Sequence, residues 1–473
     1  MPKVALVSLG CPKNLVDSED LLAALAKEGF RYSADASDAE VVLVNTCGFI
    51  EEAKRESIEE ILKLRHIKEE GKRLLVFGCL AKRYGKELAN EIPEIDAVWG
   101  VGEEDKIVEY CKLTVKRRRG DAAKRRKRFP ASPVPCVSSS ASYRSVGYAY
   151  LKIAEGCSRG CAYCVIPSIR GPYRSLEPDK ILGTAERHIR SGVKELVVVA
   201  QDTASYGREF KGYDLPALIK DISSIEGDFW VRLLYLYPSS ISDKLISAIA
   251  GNEKICKYLD IPLQHSEDDI LRAMGRSGTR RSYTNLIGRI REAVPDAALR
   301  TTFMVGFPGE SEEDFMGLRN FVEEMRFERL GVFTYSKEEG TRAAKLKGSV
   351  PPRAAKMRRD KIMKLQSRIS LEKNMSLVGK RLRAIVDEVG VDAAVARLSS
   401  QAPEIDGVVL IKNDTGTRGH GDTESITGSG EPRETPRRRA ARSSRRDLLK
   451  AGEFINVEIK DAYDYDLKGE VTA

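Results

Sequence analysis

The side chains in this sequence best placed to do chemistry are cysteines. The run Cys157-Ser-Arg-Gly-Cys161-Ala-Tyr-Cys164 places three thiols at spacings of four and three residues. Three thiolates on one short loop can each take one iron of a cubane, because soft thiolate sulfur suits iron–sulfur sites. No further Cys or His lies within 20 residues on either side, so a fourth iron would keep an open coordination position. Gly156 and Gly160 would let the backbone fold closely around such a cluster. The alternatives at this spacing are a zinc knuckle, which normally takes a fourth Cys or His close by, and a group of plain buried thiols.

Six of the nine cysteines fall in informative places, whereas Cys111, Cys136 and Cys256 do not. Cys11, Cys47 and Cys79 are far apart in sequence, but each follows a short apolar run: Val4–Leu9, Val41–Val44 and Leu74–Phe77. Amphipathic stretches alternate with these runs, which predicts a parallel sheet covered on both faces. Ligands bind at the C-terminal edge of such sheets. Three thiols gathered there would again hold three irons and leave a fourth open, with Gly10, Gly48 and Gly78 beside them. The alternative is three unrelated buried cysteines.

The elements that position the loop of Cys157 repeat the same rhythm. From Tyr148 to Ser336, six apolar strands alternate with helical stretches, which predicts an incomplete βα barrel with its functional residues at the strands' C-terminal ends. After a basic helix from Pro352 to about Lys373, short strands at Arg381–Val386, Gly407–Ile411 and Phe454–Ile459 predict a small β-barrel. The fold class expected is therefore α/β: an open parallel N-terminal sheet domain (1–111), a partial (βα)6 barrel (147–372) and a small C-terminal β-barrel (373–473). A basic, Pro/Ser-rich linker (112–146) and a polar insertion (about 413–446) interrupt them.

The spacing of Cys157, Cys161 and Cys164 after the first strand of a six-unit βα domain resembles the radical S-adenosylmethionine (SAM) superfamily. With the N-terminal three-cysteine domain and the terminal β-barrel, nearly the whole chain resembles the methylthiotransferases. That resemblance implies two [4Fe–4S] clusters and SAM, used once as methyl donor and once as radical source. The open iron beside the loop triad would bind the amino and carboxylate groups of SAM, and the second cluster would carry or accept the inserted sulfur. It also implies that the terminal barrel is a TRAM domain that recognises substrate, and that an electron donor and a sulfur donor serve the chain.

Two branches of the family compete, one acting on adenosine in tRNA and the other on an aspartate of the twelfth small-subunit ribosomal protein. Ser8–Asn14, Ala200–Thr203, Asp260–His265, Gly331–Ser336 and Ala402–Gly407 all resemble the second, RimO-type branch. Gln401, before Ala402, departs from the acidic residue expected there. Charge argues independently. The net charge is +9, but Lys116–Arg128 alone holds nine basic residues and one acidic, and 411–446 holds nine basic and five acidic. The terminal domain without its insertion has eight basic and twelve acidic residues. An acidic module suits a basic ribosomal protein, whereas one gripping tRNA should carry Lys and Arg for its phosphates. Asp461, Asp464 and Asp466, interleaved with Tyr463 and Tyr465, form its densest acidic patch. The basic linkers leave RNA contact open.

Beyond the six cysteines no catalytic side chain is assigned. Tyr163 is a candidate to stack near adenine, and Gln201, Asp202, Arg232 and Gln264, near strand ends, are candidates to hydrogen-bond SAM; each also has a plain structural reading. His265 reads as a hydrogen-bonding residue rather than an iron ligand. No apolar run reaches the roughly 20 residues a membrane span needs. Ser8–Cys11 only faintly resembles a lipoprotein cleavage site, without the apolar stretch one requires. A cytoplasmic monomer is expected, with its thiols kept reduced. Two other classes, a non-catalytic Fe–S carrier and a nucleic-acid-binding protein, would produce no 5′-deoxyadenosine from SAM.

Overall fold

The computed structural model describes residues 1–68, 70–121, 147–412 and 449–472. The N-terminal domain runs β1 (Lys3–Ser8), α1 (Pro12–Lys27), β2 (Arg31–Tyr32), β3 (Val41–Thr46), α2 (Glu51–Leu64), β4 (Arg73–Gly78), α3 (Cys79–Glu91), β5 (Ala97–Trp99) and α4 (Glu104–Asp121). Its five strands form one parallel sheet in the order β2-β1-β3-β4-β5. Alternate strand residues feed two cores. Val4, Leu6, Leu43 and Phe77 meet Leu21 and Leu25 of α1 and Ile107 of α4. Val7, Val42, Val44 and Val76 meet Ile61 of α2 and Leu80 and Leu88 of α3. Helix α4 carries the domain past the boundary expected at residue 111, because Ile107 and Cys111 are fully buried in the first of these cores.

The second domain starts with β6 (Tyr148–Lys152), then β7 (Ala154–Glu155), α5 (Ile166–Arg170) and β8 (Arg174–Ser175), with β7 and β8 making a short antiparallel ribbon. It continues α6 (Pro178–Arg190), β9 (Glu195–Val199), α7 (Leu215–Ser224), β10 (Trp230–Leu233), α8 (Asp243–Ala250), β11 (Ile255–Asp260), α9 (Asp268–Ala273), α10 (Arg280–Ala293), β12 (Ala298–Val305), α11 (Glu312–Met325), β13 (Arg329–Thr334) and α12 (Pro352–Met375). Strands β6, β9, β10, β11, β12 and β13 pair in sequential parallel order without closing, the six-unit partial barrel expected. One face is apolar and covered by the helices. The other presents Tyr150, Val197, Trp230, Leu234 and Tyr258, and is met by Val16 of α1 and by Ile385, Ala402 and Phe454 of the terminal domain.

The terminal domain is a closed barrel of β14 (Arg381–Val389), β15 (Ala393–Leu398), β16 (Val409–Lys412), β17 (Phe454–Ala462) and β18 (Leu467–Thr472), ordered β14-β15-β16-β18-β17. Two strands, β15 and β18, escape the sequence reading; one is a run of small residues and the other is half polar. Its 401–406 segment seats on the partial barrel: Tyr148 and Tyr150 donate to Glu404 at 2.6 and 3.2 Å, and Tyr258 donates to Asp406 at 2.7 Å. Gln401 is buried and accepts from the backbone N–H of Leu398 at 2.9 Å, so it closes a turn instead of facing a partner. The insertion, and the linker from residue 122, lie outside the described residues.

Candidate functional site

Loop and sheet build the two cysteine groups differently. Between β7 and α5, the backbone N–H of Cys157 donates to Gly171 at 3.1 Å, that of Ala162 to Met274 at 2.7 Å, and that of Cys164 to Cys161 at 3.2 Å. Gly156 has φ +73°, and a Cβ there would lie 2.2 Å from the Pro172 carbonyl oxygen, so only glycine fits. The thiols feel one another: Cys164 is raised by Cys161 and Cys157, and Cys157 by Cys161.

The N-terminal group needs three strand ends. Cys11 precedes α1, Cys47 follows β3 and Cys79 opens α3. Asn14 fastens two of these ends, its Nδ2 donating to the carbonyls of Leu9 at 3.0 Å and Thr46 at 3.1 Å. Gly10 has φ +92°, and a Cβ on it would stand 2.7 Å from Cys47 Cβ, so glycine is what lets the start of α1 close on that thiol. Cys79 is raised by both Cys11 and Cys47. Two of these thiols sit at helix starts, where the dipole favours a thiolate.

Burial pushes the thiols of Cys79 and Cys164 up to about 12, and those of Cys47 and Cys157 up as well. On their own these groups stay protonated at neutral pH, and a bound metal reverses that by deprotonating a thiol outright. All six cysteines are free of disulfides. Among the described residues no group of three His, Cys, Asp or Glu side chains is set to hold a single metal ion. Two sets of three soft thiols on glycine-cradled backbone suit an iron–sulfur cluster.

The two triads share one interface. Cys79 packs with Val165 and Ile169, which begin and line α5 immediately after Cys164. Arg170, at the end of α5, donates to Asn14 Oδ1 at 2.6 Å, Asp17 Oδ2 at 2.9 Å and Glu155 Oε1 at 2.8 Å, and also hydrogen-bonds Cys79. Glu155 accepts from Gln201 Nε2 at 3.2 Å and lies two residues before Cys157. Glu338, 2% exposed, forms a second latch, pairing with Lys54 and Arg83 of the N-terminal domain at 3.1 Å each.

The candidate SAM contacts divide. Tyr163 packs in an apolar cluster with Ala162, Met274 and Phe307, its hydroxyl 3.4 Å from Arg276 Nη1. Gln201 Oε1 and Asp202 Oδ1 are buried without a partner among the described residues, as is Arg276 Nε. Such orphaned polar atoms beside the loop triad fit a polar ligand like SAM. Asp202 Oδ2 is already held by Arg159 and, at 2.7 Å, by Ser205. Gln264 takes φ +73°, its backbone linking to Thr302 and Met304 of β12, and its side chain has no partner among the described residues. Arg232 also keeps one buried donor, Nη2, without a partner among the described residues. It is fully buried, pairs with Glu195, donates to the Ser399 carbonyl at 2.8 Å and lies over the Tyr258 ring, which makes it a spoke between the barrel and the terminal domain. His265 is fully buried on the side of α11 and α12, its Nδ1 accepting from the Glu267 N–H at 3.1 Å, and burial lowers it to about 4. Sequence reasoning missed Arg276, whose Nη1 lies 3.8 Å from Cys161 Sγ. It missed Arg170 as well, because a lone arginine ending a five-residue helix carries no motif.

The fold and the paired triads define a three-domain radical SAM protein. Residues 3–100 match the family described as uncharacterized protein family UPF0004, 151–322 the radical SAM superfamily and 378–431 the TRAM domain. The chain is 49% identical to the ribosomal protein uS12 methylthiotransferase RimO of Thermodesulfovibrio yellowstonii, over all of both chains. It is 41% identical to the protein of the same name from Geobacter sulfurreducens, over 99% of this chain and 98% of that one. The chain belongs to the RimO methylthiotransferase family. In fold it is similar to the radical SAM methyltransferase TsrM from Kitasatospora setae, with a TM-score of 0.53 at 14% identity over 72% of this chain and 77% of that one. No helix among the described residues is long and apolar enough to cross a membrane.

Proposed function

We propose that this chain adds a methylthio group to the β-carbon of an aspartate in ribosomal protein uS12, with Cys157, Cys161 and Cys164 holding one [4Fe–4S] cluster and Cys11, Cys47 and Cys79 a second. The observation that carries this reading is the convergence of two triads on one interface, bridged by α5, in a chain of this family. When bound, the clusters supply the electron that cleaves SAM to a 5′-deoxyadenosyl radical and the sulfur that is inserted. The chain's own residues do the rest. Gln201 and Asp202 point orphaned polar atoms toward the SAM side, and Arg276 holds its guanidinium against Cys161. Val165 and Ile169, packed on Cys79, exclude water between the two centres.

The substrate is a basic protein, and the acidic terminal domain complements it. Asp461 and Asp464 are exposed, and Asp466 is half-buried. Asp464 is tied to Ser367 of α12, and Asp466 accepts from the Val408 N–H at 2.9 Å, so both also hold the turn. A ribosomal substrate and thiols that must stay reduced support a cytoplasmic enzyme, working as a monomer that draws on a separate electron donor and sulfur donor. The test is anaerobic reconstitution with iron, sulfide, SAM and a reductant, followed by mass spectrometry of uS12. A gain of one methylthio group in place of one hydrogen on an aspartate is expected. Unmodified uS12, together with methylthioadenosine in the tRNA of the host strain, would move the chain to the tRNA branch.

A further inference from the structure

Lys13 stands two residues after Cys11, in the first turn of α1. It is only 8% exposed, yet among the described residues its ammonium meets no carboxylate and no hydrogen-bond acceptor; its polar neighbour is the face of the Tyr235 ring, 3.7 Å from Nζ to the centroid. The other cations around it are paired. Arg170 and Lys152 share Asp17 and Glu155, and Arg300 holds Asp260 at 2.8 Å and Asp406 at 3.7 Å. A buried charge without a counter-ion is unfavourable, and a ring face offsets only part of that. These charges balance in number, but every carboxylate among them is held by another cation, and Lys13 keeps no direct partner among the described residues.

Its location says which anion fits. Tyr235 follows the C-terminal end of β10, the edge where a βα barrel binds its ligands. Its backbone is left-handed, φ +61°, and is fixed there by its N–H donating to Asp260 Oδ2 at 3.0 Å and its carbonyl accepting from Thr203 at 3.0 Å. Its phenol faces Lys13, Asp260, Cys11 and Arg300 together. Lys13 is thus held over the mouth of the barrel, on the same helix start that carries a thiol of the N-terminal triad.

We propose that Lys13 receives the side-chain carboxylate of the target aspartate and selects that residue over a neutral one. The proposal rests on the methylthiotransferase reading above. The reacting β-carbon must lie between the two triads, and it is one bond from the carboxylate carbon. An ammonium two residues from Cys11 that grips the carboxylate therefore sets the β-carbon beside the sulfur-delivering side. Arg300 is taken up by Asp260 and Asp406, leaving Lys13 as the cation without a direct partner among the described residues; a neutral nucleobase would leave it so. SAM's own carboxylate belongs with the loop triad.

The experiment compares two peptides of the uS12 target loop, one with the aspartate and one with asparagine in its place, binding to reconstituted holoenzyme by fluorescence anisotropy. A charge-assisted contact in a buried site should favour the aspartate peptide by roughly 10- to 100-fold. In Lys13→Gln that ratio should collapse toward one, through weaker binding of the aspartate peptide alone. Lys13→Arg keeps a cation in place and should keep most of the preference. An unchanged ratio in Lys13→Gln overturns the proposal, and so does equal weakening of both peptides, which marks a structural lysine. Loss of retained sulfide with the ratio intact overturns it in favour of a small sulfur anion at this site. Should Lys13→Gln fail to load iron, Lys13→Arg decides: loss of the preference with iron intact overturns the proposal. If the unaltered enzyme binds neither peptide, the substrate assignment fails instead.

Discussion

On the proposed assignment, the two triads would reach the same chemistry by opposite routes. The loop triad lies within eight residues and is shaped by one obligatory glycine and by backbone hydrogen bonds that reach to Gly171 and Met274. The N-terminal triad draws one thiol from each of three strand ends and exists only while β1, β3 and β4 hold register. The first is a motif that a chain carries wherever it goes, whereas the second is a property of a fold. A radical-generating centre on a local loop can serve many reactions, and a sheet-edge centre docked beside it adds one particular reaction without altering it. The interface between them runs through Arg170 and Cys79, and on the proposed reading it is where the specific activity would be assembled.

That contrast breaks most sharply under cysteine replacement. Changing Cys157, Cys161 and Cys164 together to Ala should leave roughly half of the reconstituted iron and abolish 5′-deoxyadenosine formation, read by iron assay and chromatography. Iron content unchanged by this replacement would refute the assignment. Changing Cys11, Cys47 and Cys79 to Ala should likewise halve the iron but preserve reductive SAM cleavage while ending sulfur insertion. Normal methylthiolation of uS12 by that variant would show that the sheet-edge triad has no part in the reaction.

The same contrast governs what could be read in advance. The loop triad was legible because its spacing is its geometry. The sheet-edge triad became legible only after the alternation of apolar runs at Val4, Val41 and Leu74 had been read as a parallel sheet, which the structure bears out. The six barrel strands were found because strand and helix patterns alternate in one rhythm from Tyr148 to Ser336. Strands β15 and β18 were not, since small and alternating residues give little periodic signal. Long-range partners were the least legible. Nothing local in Arg232 announces that Glu195 and Ser399 will claim it, and nothing in Arg170 announces Asn14 and Asp17, more than 150 residues earlier.

The coupling between the triads is sharpened by Arg170→Met. The side chain is 1% exposed, and its loss leaves Asp17 and Glu155 with Lys152 as their remaining cation. Removing one partner from a buried network costs on the order of 3 kcal/mol. Chemical denaturation should show that loss at high and low salt alike, because buried pairs are poorly screened. Limited proteolysis should find the N-terminal domain released from the barrel first. A variant as stable as the parent, with both domains equally protected, would mean that the Glu338 latch alone holds the interface.

Acid separates the two domains more gently. Burial lowers His265, in the barrel, to about 4, with Asp314 and Arg358 beside it. The unfolded chain takes up this proton near 6.5 and the folded chain only near 4, so between those values the unfolded state binds more protons and stability falls as pH falls. Between 6.5 and 4 the slope is about 1.4 kcal/mol per pH unit for one such group; the stability it governs is present in full above 6.5 and lost progressively toward 4. Glu310, raised to about 7 by burial, works in the opposite sense: its contribution grows as pH drops from 7 toward 4.5. The parent curve is therefore flattened, and the informative quantity is the difference between parent and His265→Gln. Glutamine preserves an acceptor for the Glu267 N–H but cannot ionise. Thermal melts of the metal-free protein at pH 7.5 and 5.5, followed by circular dichroism, should show the variant gaining on the parent by about 1.4 kcal/mol at the lower pH. The gain should fall on the barrel transition and leave the N-terminal domain in place, since His265 touches only elements of the barrel. Identical pH dependence in the two proteins would mean that this histidine is solvated before the barrel unfolds.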